Sequence, residues 1–371
     1  MTTSLSQVAG GRVESPSGAL MMVDGQALLC FGGSSYLGLG GAPELLDAGC
    51  AALRQFGAST HLARHYGFSA GANQEAEAEA RRFFDVDDAM YFGTGYLFGI
   101  IALAGLAPDC DAIYLDECAH YSLRDGANAT GKPVHLFKHR DADDLARHLE
   151  RTLGPGERPL VATDGMFPTF GVIAPLQAYA GAIASRCGWL VVDESHAFGT
   201  LGPLGRGAVE AAGLSFERVV AGGSTAKAFG AHGGLALGST RTIASLWRTP
   251  VARGAVLGCS AGAAMTAQSL RHIRQHPEIL LRLRDNARAL KDGLRELGLK
   301  VEDSDGPVAT FVHGDAQEMQ RIQAALWDQG IFIAYSTYVG AGPEGVLRCA
   351  TFADHTPQHI DRLLTTLRSL L

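Results

Sequence analysis

The chain has 371 residues, 47% of them hydrophobic and 19% charged, with a formal net charge of −7. That length predicts two packed lobes around a sizeable core, and the acidic balance gives no basis for nucleic acid or an anionic membrane surface as a partner. The seven cysteines (30, 50, 110, 118, 187, 259 and 349) are odd in number and form no C-x-x-C pair, which excludes a disulfide framework or zinc module and favours a reducing compartment. Met1 to Gly11 shows no apolar core behind a basic start, and no apolar run is long enough to span a bilayer. The expectation is a soluble cytoplasmic protein.

In chain order, a weakly patterned start ends in the strand-like Ala27 to Phe31. Helices are expected from Pro43 to about Leu53 and from Asn73 to Phe84. A β/α alternation follows, with short apolar runs at 89–92, 112–115, 134–137, 160–163, 189–192 and 218–221 and helical stretches at 142–152 and 176–186 between them. Strands alternating with helices imply a mostly parallel sheet covered on both faces. Gly234 to Gly238 adds one more strand. After Ser239 the character changes to two long helices, 261–275 and 278–297. Beyond them come strands near 309–312, 331–333 and 346–348, a helix at 316–329 and a last helix behind Thr356-Pro357. The expected division is an N-terminal segment 1–40, a large domain 41–250 and a smaller α+β domain 251–371.

Four segments carry the chemistry. Val191 to Gly199 reads as a strand ending in Asp193-Glu194, then His196 and a glycine-rich run to Gly207. Ligand crevices of open α/β sheets lie at the carboxyl ends of strands. A carboxylate there can keep a pyridine nitrogen protonated and make a bound cofactor a better electron sink, and His196 can reach the same ligand. A capping aspartate and an ordinary loop histidine give the same pattern. The second segment, Ala221-Gly222-Gly223-Ser224-Thr225-Ala226-Lys227, sets a lysine among small residues after a strand. Its glycines and hydroxyls suit phosphate, and a partly desolvated lysine has a lowered pKa and can form an imine. Of the five lysines (132, 138, 227, 291 and 300), only Lys227 has that apolar, glycine-rich context. The third, Gly93-Thr94-Gly95-Tyr96, follows a strand and starts a helix, an anion-binding arrangement. The fourth, Asp116 to Ser122, places His120 after another strand, either to stack on an aromatic ligand or simply to open a helix. His61 and His65 have the i, i+4 spacing of a metal pair, but no third ligand is near in sequence. No metal is expected.

Together these segments resemble the α-oxoamine synthase family of fold-type I pyridoxal-phosphate enzymes, in register from about Phe31 to Leu371. Ser34-Ser35-Tyr36-Leu37-Gly38-Leu39 is similar to its opening motif, Phe167 to Leu176 to the stretch ending Ile-Ala-Pro-Leu, and Asp193 to Gly207 to its acidic-histidine motif. Val346-Leu347-Arg348 with His355-Thr356 is similar to its C-terminal pattern. The resemblance implies a fold-type I α/β transferase, a homodimer, with pyridoxal 5′-phosphate held as a Schiff base on Lys227. By the same resemblance Asp193 pairs with the pyridine nitrogen, His196 contacts the 3-oxygen and His120 stacks on the ring. Thr94, Gly95, Tyr96, Asp164 and Ser224 take cofactor-contacting positions. Ser34, Thr337 and Arg348 take substrate positions, Arg348 for the amino-acid carboxylate.

The sequence also departs from the family. Ser34 replaces an asparagine, Ala58 to Arg64 replaces a Gly-Ser-Gly-Gly-Ser-Arg segment, and Asn73 stands where a histidine is usual. Pro168-Thr169 stands for a serine, and a proline pair is missing near Gly262. These changes touch the acyl-donor side and the dimer seam. The implied reaction condenses a small amino acid with an acyl thioester, with decarboxylation. Transamination, carbon–carbon cleavage or aldol chemistry is the alternative on the same scaffold. A non-catalytic subunit is the third reading, and intact Lys227, Asp193 and His196 oppose it.

Overall fold

The computed structural model describes residues 11–59, 62, 64–254 and 258–371. The chain opens with an antiparallel hairpin, β1 (Leu20–Val23) and β2 (Gln26–Cys30). Asp24 and Gly25 form its turn, both with positive φ (49° and 73°), the two-residue geometry whose twist matches the strands it joins.

Helices α1 (Pro43–Phe56) and α2 (Gly71–Phe84) come next. The β/α run is β3 (Asp88–Phe92), α3 (Leu97–Leu106), β4 (Ala112–Asp116), α4 (Tyr121–Ala129), β5 (Val134–Phe137), α5 (Ala142–Thr152), β6 (Pro159–Asp164), α6 (Leu176–Ala184), β7 (Trp189–Asp193), α7 (Ala208–Ala211), β8 (Val219–Ser224) and β9 (Gly234–Gly238). These strands form one sheet in the order β3-β9-β8-β7-β6-β4-β5. Pairings β8-β7, β7-β6, β6-β4 and β4-β5 are parallel, and only β9 runs against its neighbours. Successive residues of a strand feed opposite cores. Ile113, Leu160, Ala162 and Val191 join the cluster under α3, while Tyr114, Val161, Leu190 and Val192 join the one under α5 and α6. Burial on both faces explains why these strands read as continuous apolar runs rather than as an alternation.

Beyond β9 lie α8 (Thr240–Trp247), α9 (Pro250–Gly254), α10 (Ser260–Gln275) and α11 (Glu278–Glu296). Helix α10 packs on α1 and α2. The remainder is β10 (Val308–Phe311), α12 (Ala316–Asp328), β11 (Ile331–Phe332), β12 (Ala334–Ser336), β13 (Val346–Ala350) and α13 (Pro357–Leu370). The single strand expected at 331–333 is two strands in two sheets. β11 pairs with β2 in parallel, and β12 pairs with β13 antiparallel, with β10 on the other side of β13. The N-terminal hairpin therefore completes a sheet with the C-terminal part of the chain. Among the described residues no helix is long and apolar enough to cross a membrane.

Candidate active site

The parallel strands end in a row of polar residues. Asp116 closes β4, Asp164 closes β6, Asp193 closes β7 and Ser224 closes β8, all at the carboxyl edge of the sheet. Asp164 and Asp193 are direct partners across β6 and β7. Both are buried, at 2% and 3% exposure. Burial first, and then the neighbouring Asp193 charge, push the Asp164 carboxyl well above the usual carboxylate range. Its Oδ2 accepts the His120 backbone N–H at 2.8 Å. Asp193 Oδ1 accepts the Ser195 N–H at 2.9 Å, and its Oδ2 lies 3.4 Å from the Ser122 hydroxyl.

The acidic pair divides in two. Glu194 turns away from the strand ends, and its oxygens accept the Ala208 and Val209 N–H groups, each at 2.8 Å. A Cβ at Gly165 or at Gly207 (φ 114°) would stand 2.7 Å from Glu194 Oε2. The glycine-rich run is thus the wall of a carboxylate clamp, and burial pushes Glu194 up to about 8. Ser195 Oγ accepts the Ser224 N–H at 2.9 Å and ties this loop to β8.

Two histidines flank the strand ends. His120 is the N-cap of α4, where its Nδ1 accepts the Ser122 N–H at 3.1 Å and contacts the Ser122 hydroxyl at 2.7 Å. Its ring also lies among three tyrosines, with centroids 5.9 Å from Tyr96, 6.1 Å from Tyr121 and 6.2 Å from Tyr338. His120 does open the helix, as one of the two sequence readings has it, and its ring is left among the tyrosines that border the strand ends. His196 is buried, and its Nδ1 is 2.7 Å from the Tyr36 hydroxyl. Burial, helped by the Lys227 and Arg348 charges, holds it well below the ordinary histidine range.

Lys227 sits mostly within the protein and makes no hydrogen bond or ion pair among the described residues. Burial brings its ammonium down to about 8, partly offset by Asp193 and Asp164. The fraction of free amine at neutral pH rises accordingly. Ser224 and Gly95 touch: a Cβ on Gly95 would lie 2.5 Å from the Ser224 Cα and Cβ. The loop after β8 and the start of α3 therefore meet at a glycine. Thr94 is exposed there, and the Tyr96 hydroxyl donates to Asp125. Arg348, on β13, reaches the same region while 8% exposed. Its Nε donates to Pro168 O (2.8 Å), Nη1 to Gly33 O (2.9 Å) and Nη2 to the Tyr36 hydroxyl (3.3 Å). No carboxylate pairs with it among the described residues.

The structure thus gathers Lys227, Asp193, Asp164, His120, His196, Gly95, Tyr96, Ser224 and Arg348. Ser34 is half-buried beside Gly33, and Thr337 is exposed next to Tyr338. Thr169 Oγ1 donates to Val339 O at 2.6 Å and so anchors the Thr337–Tyr338 loop. Sequence reasoning gave no role to Tyr36, Ser122, Ser195 or Tyr338. Tyr36 and Ser122 lay inside quoted motifs, but their partners are 160 and 71 residues away. His61 lies outside the described residues, and exposed His65 joins no group of three metal-ligating side chains among them. Asp116, Cys118 and His139 do cluster. There Asp116 already accepts from the Cys118 and Arg140 N–H groups, His139 and the Tyr179 hydroxyl.

Residues 28–367 match the family model for aminotransferase class I and II. The chain belongs to that family. Within the family its relatives are α-oxoamine synthases. It is 32% identical to the 8-amino-7-oxononanoate synthase of Symbiobacterium thermophilum, over 95% of this chain and 90% of that protein. It is also 32% identical to the serine palmitoyltransferase of Caulobacter vibrioides, over 93% and 86%. The solved serine palmitoyltransferase of Sphingomonas wittichii superposes with a TM-score of 0.89 at 25% identity, covering 95% of this chain and 89% of that one. A structure of SPT holding PLP as an internal aldimine gives 0.88 at 27%, over 95% and 89%. This family member is a fold-type I, pyridoxal-phosphate-dependent transferase of the acyltransferase kind. The residues present fit the cofactor. Asp193 offers a buried carboxylate at a strand end, Lys227 an amine with no partner among the described residues, and the Gly95–Ser224 contact a close approach that a side chain at 95 would fill.

Proposed function

We propose that this enzyme condenses a small amino acid with an acyl thioester, with loss of carbon dioxide. One observation carries the reading: a buried guanidinium beside the Asp193–Lys227 cluster has no carboxylate to neutralise it among the described residues. A buried cation needs an anion. Three N–H groups of Arg348 are used within the protein, which leaves two of the five that a guanidinium carries for a substrate carboxylate.

When bound, pyridoxal phosphate supplies an electron sink for charge developing at the amino acid's α-carbon. In the proposed arrangement Asp193 keeps the pyridine nitrogen protonated, and Ser195 N–H and Ser122 hold that carboxylate in place. Lys227 would hold the cofactor and would carry the proton to or from the α-carbon, a task suited to an amine brought down to about 8. His120 would lie against the ring face. His196, held neutral, donates a hydrogen bond to an oxygen in the cleft. Ser224, Thr94, Gly95 and Tyr96 would border the phosphate. Arg348 orients the carboxylate, with Ser34 and Thr337 at its approaches.

The proposal extends to a homodimer. Exposed Leu46 and Leu53 on α1, with Leu62, Tyr66 and Phe68 after it, leave apolar surface that a second copy would cover. The test follows thiol release and carbon dioxide while small amino acids and short or long acyl thioesters are mixed with the holoenzyme. Thiol released only when both substrates are present supports condensation. Turnover with a keto acid or aldehyde and none with a thioester would leave the cofactor assignment standing and replace the reaction.

A further inference from the structure

We infer that Tyr36 is a positioning residue of this site: its hydroxyl, shared by Arg348 and His196, fixes His196 as the tautomer with its proton on Nε2. The role of Nε2 rests on the reaction proposed above, whereas the tautomer rests on bond directions alone.

A guanidinium only donates, so in the 3.3 Å contact the Tyr36 oxygen accepts from Arg348 Nη2. The hydroxyl has one hydrogen of its own. Its other partner among the described residues is His196 Nδ1, at 2.7 Å. The hydrogen therefore lies on that contact, and Nδ1 is the acceptor. The reverse arrangement, Nδ1–H pointing at Tyr36, would leave the phenol hydrogen without an acceptor. Tyr36 is 0% exposed, and an unmet buried donor costs about 1–3 kcal/mol. A doubly protonated ring is opposed as well, since it would be a buried cation facing the Lys227 and Arg348 charges.

What remains is a neutral imidazole whose Nε2 carries the proton and makes no hydrogen bond among the described residues, although the residue is only 9% exposed. An Nε2–H held this way can donate to a ligand oxygen but cannot accept a proton there. The same tyrosine touches the cation proposed for the substrate carboxylate. Tyr36 thus links the group that orients the amino acid to the group that faces the reacting oxygen. It acts through His196, to which its hydroxyl donates.

The test begins on the cofactor-free wild-type protein with ¹⁵N-labelled histidine. NMR should show His196, assigned by its loss in H196Q, with Nδ1 unprotonated and Nε2 protonated. Tyr36→Phe keeps the ring in its packing and removes only the hydroxyl. It should give a mixture of tautomers, and in the holoenzyme kcat should fall about tenfold or more, with KM for the amino acid changing far less. Adding Tyr36→Phe to His196→Gln should cost less than about twofold further, because the two act as one unit. An Nδ1–H tautomer in the wild-type protein, or independent and multiplying losses in the double variant, would overturn the inference. If Tyr36→Phe fails to fold, the wild-type spectrum still decides the tautomer. An Nε2–H signal in an enzyme that turns over no thioester would sink the proposed reaction and leave this inference intact.

Discussion

Lys227 carries a cost that the fold alone gives no reason to accept. Burial lowers its ammonium to about 8 from 10.5, so below pH 8 the folded apoprotein holds a charge that its surroundings disfavour. The unfolded chain binds that proton more tightly, and this destabilises the fold throughout the neutral range. Lys227→Met should therefore stabilise the cofactor-free protein at pH 7 by about 1–3 kcal/mol, read as a higher urea midpoint. It should also abolish covalent trapping of pyridoxal phosphate by borohydride. A less stable apoprotein, or reduced cofactor found on another lysine by peptide mass, would contradict both the burial argument and the attachment. Asp193→Asn leaves the size and the Ser195 contact in place but removes the charge. It should retain the fold and lose activity on the order of 100-fold or more, checked by kcat beside an unchanged melting curve. Both residues stood out in the sequence because Asp193 ends a strand and Lys227 closely follows one, each inside a distinctive segment. Tyr36 and Ser122 were not given roles, because a hydroxyl acquires one only from a partner that folding brings to it.

At the level of elements, strand–loop units were readable where both faces of a strand are buried, as at 112–116 and 189–193. Strand β2 was read as Ala27 to Phe31, but β1 and the hairpin pairing were missed although Asp24-Gly25 marks the turn. Its strands are half exposed and show little periodicity. The split at Ile333 was missed for another reason. Three apolar residues in a row give no sign that their hydrogen bonds go to two different sheets. The junction of Gly95 with Ser224 is a similar long-range fact behind a short motif. Its consequence is direct: Gly95→Ala would put a Cβ 2.5 Å from Ser224 backbone, and the two loops must part. Overpacking of this kind costs about 1–3 kcal/mol, and here the loss falls on the phosphate cradle. Pyridoxal-phosphate affinity should drop about tenfold or more, measured by fluorescence titration of the apoprotein. Gly181→Ala on the exposed side of α6 meets nothing within 4 Å and should instead stabilise by about 0.5–1 kcal/mol. Equal effects at the two positions would mean that helix or loop propensity, not the close approach, governs the site.

Across the whole molecule the two ends of the chain are joined near the site, and His355 is one of the pins. It follows β13, which carries Arg348, and it precedes α13. Its Nδ1 accepts the Phe352 N–H at 2.8 Å, its Nε2 is 3.1 Å from Cys30 O, and its ring stacks on Phe31 at 4.1 Å. The His-Thr pair of the family's C-terminal pattern is therefore structural in this chain, with Thr356 capping α13. Burial lowers His355 to about 4 from 6.5. As pH falls, the unfolded chain takes up this proton first. The contribution of His355 to stability is complete above pH 6.5, is lost progressively between 6.5 and about 4, and stays lost below that. Over the full window one proton is worth about 3 kcal/mol. Carboxylates titrate in the same range, so the measurement is a difference between two proteins. Urea unfolding of the wild type and of His355→Gln is followed at pH 7.5, 5.5 and 4.5. At pH 7.5 the variant should be the less stable, because it loses the stacked, doubly bonded ring. The gap should close as the pH drops, since only the wild type is penalised for the proton it must exclude. A gap that stays constant across the three pH values would show that His355 is not held neutral in the fold. The junction between the N-terminal hairpin and the C-terminal sheet would then owe its pH response to other groups.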